Sequence, residues 1–260
     1  MPGSPNPGSA LNALAEGFQD TIVVVVGGRG SIGSEVVSQV RALGGRVIIG
    51  SSSPDFPGFE PDAWSSSGVA VLPCNLKDPA SIAAFAASIG EIAGRIDILV
   101  TTAGSSVQLP LKKLELLSDE LIDDVFQTNA IGLLRLIREC TPLLKAGQDP
   151  VIVNVGSVAA MTGLGSNLAY VGAKASVDAM FKGLAKALAP TVRLVTIAPS
   201  ALETDFVKGR GADFIEKTIA ATPLGRLASV QEVASAVLCA ARVLTSTTGS
   251  VITVDGGRHL

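Results

Sequence analysis

Short β-branched runs alternate with longer stretches of helical spacing along the chain. The segment TIVVVV (21–26) is apolar at almost every position, which marks a strand buried on both faces. RVIIG (46–50), VAVLPC (69–74), IDILVTTAG (96–104), PVIVNVGS (150–157), VRLVTIAP (192–199) and SVITVDGG (250–257) repeat the signal. Between most of them lie 3.6-period patterns. These are EVVSQVRAL, SIAAFAASIGEIA, DELIDDVFQTNAIGLLRLIREC and AYVGAKASVDAMFKGLAKALA. About seven strands interleaved with helices predict an α/β fold, a Rossmann-type doubly wound parallel sheet covered on both faces. Such a sheet carries its active site beyond the carboxyl ends of its strands.

Two stretches break the alternation. The interval SSSPDFPGFEPDAWSSSG holds Pro54, Pro57 and Pro61, which disfavour a regular crossover helix. An irregular connection with one helical turn is expected there. Residues 1–20 are expected to be a flexible tail (1–9) followed by a short helix (10–17). Residues 21–260 form a single catalytic domain with no internal repeat.

Composition narrows the class. Of 260 residues, 47% are hydrophobic and 17% charged, which suits a folded core rather than disorder. The net charge of -3, with no Lys/Arg cluster, argues against a nucleic-acid partner. No apolar run reaches the length of a membrane span, and the N-terminal stretch has no secretory pattern. Cys74, Cys140 and Cys239 are widely spaced in apolar surroundings, so each is expected to be a buried reduced thiol in a cytoplasmic protein. The single histidine, His259, is next to the C-terminus, which sets aside His-based metal sites and catalytic triads.

The first strand runs into VVVVGGRGSIGSEVV, and Gly28, Gly30 and Gly33 satisfy G-x-G-x-x-G between strand and helix. Gly27, Gly30 and Gly33 also fit G-x-x-G-x-x-G. Small residues let the backbone approach a pyrophosphate, whose charge the helix N-terminus stabilises. The second strand ends in Gly50, Ser51, Ser52 and Ser53, where the dinucleotide fingerprint has an acid for the ribose hydroxyls. A carboxylate would repel a 2′-phosphate, whereas hydroxyls and a guanidinium, here Arg29, would accept one. NADP(H) is therefore the expected cofactor, with NAD(H) as the alternative. An ordinary polar loop would carry the same serines.

The stretch GSNLAYVGAKASV holds the only tyrosine of the chain, Tyr170, four residues before Lys174. With GGRGSIG, ILVTTAG, FQTNAIG, NVGS thirteen residues before Tyr170, IAPSALET, TPLGRLASVQEVA and GSVITVDGG in this order, the chain resembles the short-chain dehydrogenase/reductase family. The resemblance runs from about residue 21 to 257. It implies a catalytic tetrad of Asn129, Ser157, Tyr170 and Lys174. It also implies a pyrophosphate turn of Gly27, Ser31, Ile32 and Gly33, an adenine contact from Asn75 and Leu76, and ribose neighbours Ala103 and Gly104. Pro199 and Thr204 fall in the segment that resembles the nicotinamide-binding one. Val26 stands where the family has a threonine, Ser31 where the short form has a glycine, Thr101-Thr102 for Asn-Asn, Asn75 for an aspartate and Ser200 for a glycine.

Chemistry explains why these residue types belong together. A carbonyl accepting hydride builds negative charge on oxygen and needs a proton. An unperturbed phenol, with a pKa of about 10, supplies it poorly at neutral pH. Residues i and i+4 share a helix face, so the Lys174 ammonium lies beside the phenol and favours phenolate. Lys174 can also donate to the nicotinamide ribose, and Ser157 can bond the substrate oxygen. The family resemblance implies that Asn129 holds a water relaying protons through Lys174. A Tyr–Lys pair alone is more often a half-buried aromatic beside a solvated charge. The glycine turn, Ser157 and the strand order favour catalysis.

The expected function is interconversion of a carbonyl and a secondary alcohol on a small, uncharged, fairly hydrophobic substrate, with Tyr170 as general acid/base. Residues 105–109, 158–164 and 201–208, mostly small or apolar, are expected to line its pocket. One alternative is a 3-oxoacyl reductase acting on a carrier-bound thioester, docked by Arg135, Arg138, Lys182 and Lys186. The other is a non-catalytic dinucleotide sensor, which should lack part of the tetrad. Apolar residues on more than one face of the helices holding Asn129 and Tyr170 predict a homotetramer, or at least a dimer.

Overall fold

The computed structural model describes residues 14, 16–53, 61–204 and 212–260. Seven parallel strands form one sheet in the order β3-β2-β1-β4-β5-β6-β7. They are β1 (Ile22–Val26), β2 (Arg46–Ser51), β3 (Val69–Pro73), β4 (Ile98–Thr101), β5 (Val151–Val155), β6 (Arg193–Pro199) and β7 (Ser250–Val254). All seven expected strands form. β1, β4 and β5 are central, so both faces of each are covered and every residue is buried. The chain reverses direction across the sheet between β1 and β4, which opens a crevice at their carboxyl ends.

Each face carries its own core. On one face, α3 (Pro79–Ala93), α5 (Gly132–Lys145) and α7 (Leu168–Leu188) pack Phe85, Leu136 and Phe181 onto Val24, Leu99 and Ile152. On the other, α1 (Ser31–Ala42) and α9 (Val230–Arg242) set Val36 and Val237 against Val25, Val100 and Val153. Alternate residues of each strand supply the two layers. Local chemistry fixes the helix ends. In α3 the Asp78 carboxylate accepts the Ala80 N–H, Pro79 opens the helix, and Gly94 closes it at φ 70°.

Three expectations need correction. DELIDDVFQTNAIGLLRLIREC is not one regular helix: α4 (Asp119–Phe126) passes through a π-helical turn (Gln127–Ile131) into α5. That turn inserts a residue into the ladder and turns Asn129 toward the sheet end. The connection between β2 and β3 carries more than one turn: α2 (Pro61–Ser67) runs seven residues. Arg46 stacks 4.0 Å above the buried Trp64 of α2 and helps hold it. Cys239 is only half-buried, whereas Cys74 and Cys140 are in the core with thiols pushed up to about 12 by burial. The expected helix at 10–17 lies mostly outside the described residues, although residues 14 and 16 are helical. Also among the described elements are α6 (Ala159–Thr162) and α8 (Ala212–Ala220).

Candidate active site

The glycine turn follows β1 at the crevice. Gly27 has φ 86°, and a Cβ there would lie 2.6 Å from the Ala103 nitrogen and 2.7 Å from the Thr102 hydroxyl oxygen. A Cβ on Gly33 would overlap the Gly27 carbonyl and lie 2.7 Å from the Gly28 Cα. Gly30 is different: its φ is -75°, and an added Cβ would meet only the Gly27 carbonyl, at 3.4 Å. No side chain caps α1, and its first turn carries no acid, so its leading N–H groups face the crevice uncompensated. This cradle of bare backbone fits a pyrophosphate.

Thr102 ties the turn down. Its hydroxyl lies 3.1 Å from the Gly27 carbonyl and 3.3 Å from that of Val26. The threonine that the family places at position 26 is thus replaced by a hydroxyl reaching across from the end of β4.

On the opposite wall, β5 ends at Val155 and delivers Ser157 two residues later. The Ser157 hydroxyl accepts the Ala159 N–H at 3.2 Å. Asn167 caps α7: its side-chain oxygen accepts the Tyr170 N–H at 2.8 Å. The same carboxamide donates to the Val107 carbonyl at 2.8 Å and the Ser106 hydroxyl at 3.2 Å. Ser106 also hydrogen-bonds Ser166. Tyr170 and Lys174 are both buried, and the ammonium is 5.7 Å from the ring centroid. Lys174 donates to the Val155 carbonyl at 3.1 Å. Burial pulls its pKa down to about 8, against the attraction of Asp178.

Asn129 stands behind this pair. Its amide donates to the carbonyls of Ser105 and Val125, both at 2.9 Å, and its side-chain oxygen is buried with no partner among the described residues.

One cavity of about 660 Å³ runs from the glycine turn to these side chains. Arg29, Gly30, Ser31, Ile32, Gly33 and Gly104 line it at one side, and Ser157, Tyr170, Lys174, Pro199 and Thr204 at the other. Gly27, Ala103 and Asn129 are not among the residues that line it. Ser51 is buried at the end of β2, its hydroxyl accepting the Ser53 N–H, and Ser52 is exposed. Asn75 is exposed after β3, whereas the Leu76 side chain is in the core and leaves only backbone for a ligand.

A family model described as enoyl-(acyl carrier protein) reductase matches residues 26–259. The 3-oxoacyl-[acyl-carrier-protein] reductase FabG of Escherichia coli K12 is 29% identical over 245 residues, 94% of this chain and 99% of its own. The Pseudomonas aeruginosa RhlG/NADP active-site complex aligns at TM-score 0.82 and 26% identity, over 95% of this chain and 99% of that one. A short chain dehydrogenase from Leptospira borgpetersenii with bound NAD+ aligns at 0.81 and 27%, over 94% of each. The chain belongs to the short-chain dehydrogenase/reductase family.

As a short-chain dehydrogenase/reductase it is an NAD(P)-dependent oxidoreductase, and the glycine cradle and cavity fit that cofactor. Of the expected substrate wall, Gln108, Val158, Ala159, Thr162, Leu164, Ala201 and Leu202 line the cavity, while 205–208 lie outside the described residues. Leu111, Phe214, Thr218 and Arg258 were not anticipated there. Phe214 and Thr218 sit four apart on α8, a spacing the sequence offered. Arg258 arrives only because the chain beyond β7 folds back across 222–226, with Leu224 donating to the Gly256 carbonyl at 3.1 Å. Thr102 and Asn167 were also missed. An N-cap asparagine three residues before Tyr170 was a legible signal. Among the described residues, no helix is long and apolar enough to cross a membrane.

Proposed function

We propose that the chain interconverts a carbonyl and a secondary alcohol on a small, uncharged substrate, using NADP(H) and Tyr170 as general acid/base. The observation that carries this reading is that Ser157, Tyr170 and Lys174 share one cavity with the glycine turn. The nicotinamide supplies or accepts the hydride when bound. Tyr170 gives its phenolic proton to the carbonyl oxygen during reduction and takes it back during oxidation. Ser157 hydrogen-bonds the same oxygen as charge develops there. The buried Lys174 ammonium favours phenolate and orients the ribose. The unpartnered Asn129 oxygen supports a water relay toward Lys174. The leucines, valine and alanines of the cavity wall suit an apolar substrate.

The preference for NADP(H) rests on Ser51 and Ser52 in place of an acid after β2, with Arg29 on the turn. Free thiols at Cys74, Cys140 and Cys239 support a reducing, cytoplasmic location. The exposed Ile131, which ends the π turn, and Leu134, in the first turn of α5, support a homotetramer.

Carrier-linked 3-oxoacyl reduction is the second reading, favoured by the activity that relatives such as FabG carry in their names. Lys182, Lys186 and Arg138 are exposed for docking, but Arg138 pairs with Glu139 and Arg135 donates to Gln127. A panel of small ketones and 3-oxoacyl thioesters, followed by NADPH absorbance, separates the two. Turnover of small ketones alone supports the first reading, and turnover of thioesters alone replaces it with the second. No turnover of either by the wild type, with cofactor bound, rejects both.

A further inference from the structure

A second polar group is buried beneath the active site, on the α7 side of the sheet. Thr101, Asn154 and Thr196 are paired in register across β4, β5 and β6, and all three are buried. The Thr101 hydroxyl bonds the Asn154 side-chain oxygen at 2.9 Å. The rest of the row is unpaired: the Asn154 amide nitrogen and the Thr196 hydroxyl are buried without a partner among the described residues. One oxygen of Asp178, on the facing helix α7, is in the same state.

These atoms converge on Gly156. From the place its Cβ would occupy, Asp178 Oδ1 is 3.7 Å away, Asn154 Nδ2 is 3.8 Å away and the Thr196 methyl is 2.6 Å away. An unpaired donor and an unpaired acceptor thus face the same point, which the Thr196 methyl closes from β6, and the unpaired Thr196 hydroxyl belongs to the same residue. Three such groups are what a buried water needs, and leaving them unpaired would cost far more than immobilising one.

Asp178 is not remote from the chemistry. It follows Lys174 by four residues and Tyr170 by eight, so all three share one face of α7. Lys174 donates to Val155, the residue before Gly156. Asp178 is the one charge acting on Lys174 among the described residues, and Lys174 and Lys182 act on Asp178. The other elements packed on α7 bring no competing charge. The π turn offers neutral Asn129 and β6 offers Thr196. On α4, Asp119, Glu120 and Asp123 are exposed, and Asp124 pairs with Lys77.

We propose that Asn154, Thr196 and Asp178 form a buried water site beneath Gly156, and that the carboxylate it holds ionised makes Asp178 a positioning residue for Lys174. The water accepts from the Asn154 amide and donates to the Asp178 oxygen. It thereby replaces the solvation that burial removes from the carboxylate. The ionised Asp178 then offsets the desolvation of Lys174 and keeps its ammonium charged beside Tyr170 over the working pH range. Gly156 is small because a side chain would strike the Thr196 methyl.

The proposal rests on the role given to Lys174 above, so the test reads both. The chain has one tyrosine, so phenolate absorbance reports Tyr170 alone. That titration is recorded for the wild type, D178N, D178E and K174M, together with kcat against pH for reduction. The expected result for D178N is a Tyr170 transition raised by about one pH unit, with the alkaline limb of kcat, where the phenol loses the proton that reduction needs, raised by about as much. This reads as a roughly tenfold gain in relative activity at the alkaline edge. NADPH affinity should stay unchanged, and D178E should restore most of both effects. If K174M moves the Tyr170 transition while D178N leaves it and the pH profile unmoved, Asp178 is a surface-linked bystander and the proposal is overturned. If K174M moves neither, it is the Tyr–Lys mechanism that fails.

Discussion

The side-chain oxygen of Asn167 accepts the backbone N–H of Tyr170 at 2.8 Å, and its amide donates to the Val107 carbonyl at the same distance. One residue thus starts the helix that carries Tyr170 and anchors the loop whose Gln108 lines the cavity. Asn167→Ala should destabilise the fold by about 1 kcal/mol through loss of the cap. It should also lower kcat more than it raises KM for NADPH, because the phenol is displaced while the glycine turn is untouched. Urea denaturation and steady-state kinetics check the pair of effects. Unchanged kcat in a destabilised protein would reduce Asn167 to a helix cap.

Two glycines of the turn, Gly30 and Gly33, should not behave alike. Gly33→Ala places a methyl into the Gly27 carbonyl, so NADPH binding should be lost or weakened at least about a hundredfold, some 2.7 kcal/mol. Gly30→Ala meets nothing closer than 3.4 Å at an ordinary φ, and its Kd should stay within about threefold of the wild type. Fluorescence titration with NADPH measures both.

Thr102→Val removes the hydroxyl that holds the Val26 and Gly27 carbonyls. Each net hydrogen bond is worth about 1 kcal/mol, so NADPH affinity should fall roughly fivefold with the fold intact. Isothermal titration calorimetry tests this, and an unchanged Kd would show that the turn needs no such tie.

Burial of Lys174 has a consequence for stability. Its folded pKa, about 8, lies below the ordinary value of 10.5, so the unfolded chain holds the proton more tightly. The resulting penalty is fully present below pH 8, shrinks as pH rises from 8, and is gone above 10.5. Lys174→Met escapes it. The urea midpoint of cofactor-free wild type should therefore gain on that of the variant between pH 7.5 and 10, by an amount of order 3 kcal/mol. A pH-independent difference would mean that the folded protein leaves the lysine at its ordinary pKa.

NADPH should bind more tightly than NADH, and Ser51→Asp should reverse the order by placing a carboxylate at the end of β2. Light scattering at micromolar concentration should report a tetramer rather than the 26.3 kDa monomer, and Leu134→Glu should weaken it.

The alternation of β-branched runs with 3.6-period stretches determined the seven strands, the parallel sheet and the place of the glycine turn. It could do so because burial on both faces demands continuous apolar runs. The Tyr170–Lys174 spacing was legible for the same reason, since i and i+4 share a face whatever the rest of the chain does. Contacts between residues distant in sequence were not legible. Thr102 reaches Val26 across 76 positions, Arg258 reaches the cavity only through the fold-back after β7, and Asp178, Asn154 and Thr196 meet around Gly156 only once α7 has docked on β5 and β6. The π turn at Asn129 belongs with these. Its residues have ordinary helical character, and packing of α4 and of the turn itself against α7, rather than local propensity, accompanies the change of register. Local periodicity encodes which face of an element is buried. Which side chains meet there is set by the crossing of elements, and only the tertiary structure decided that.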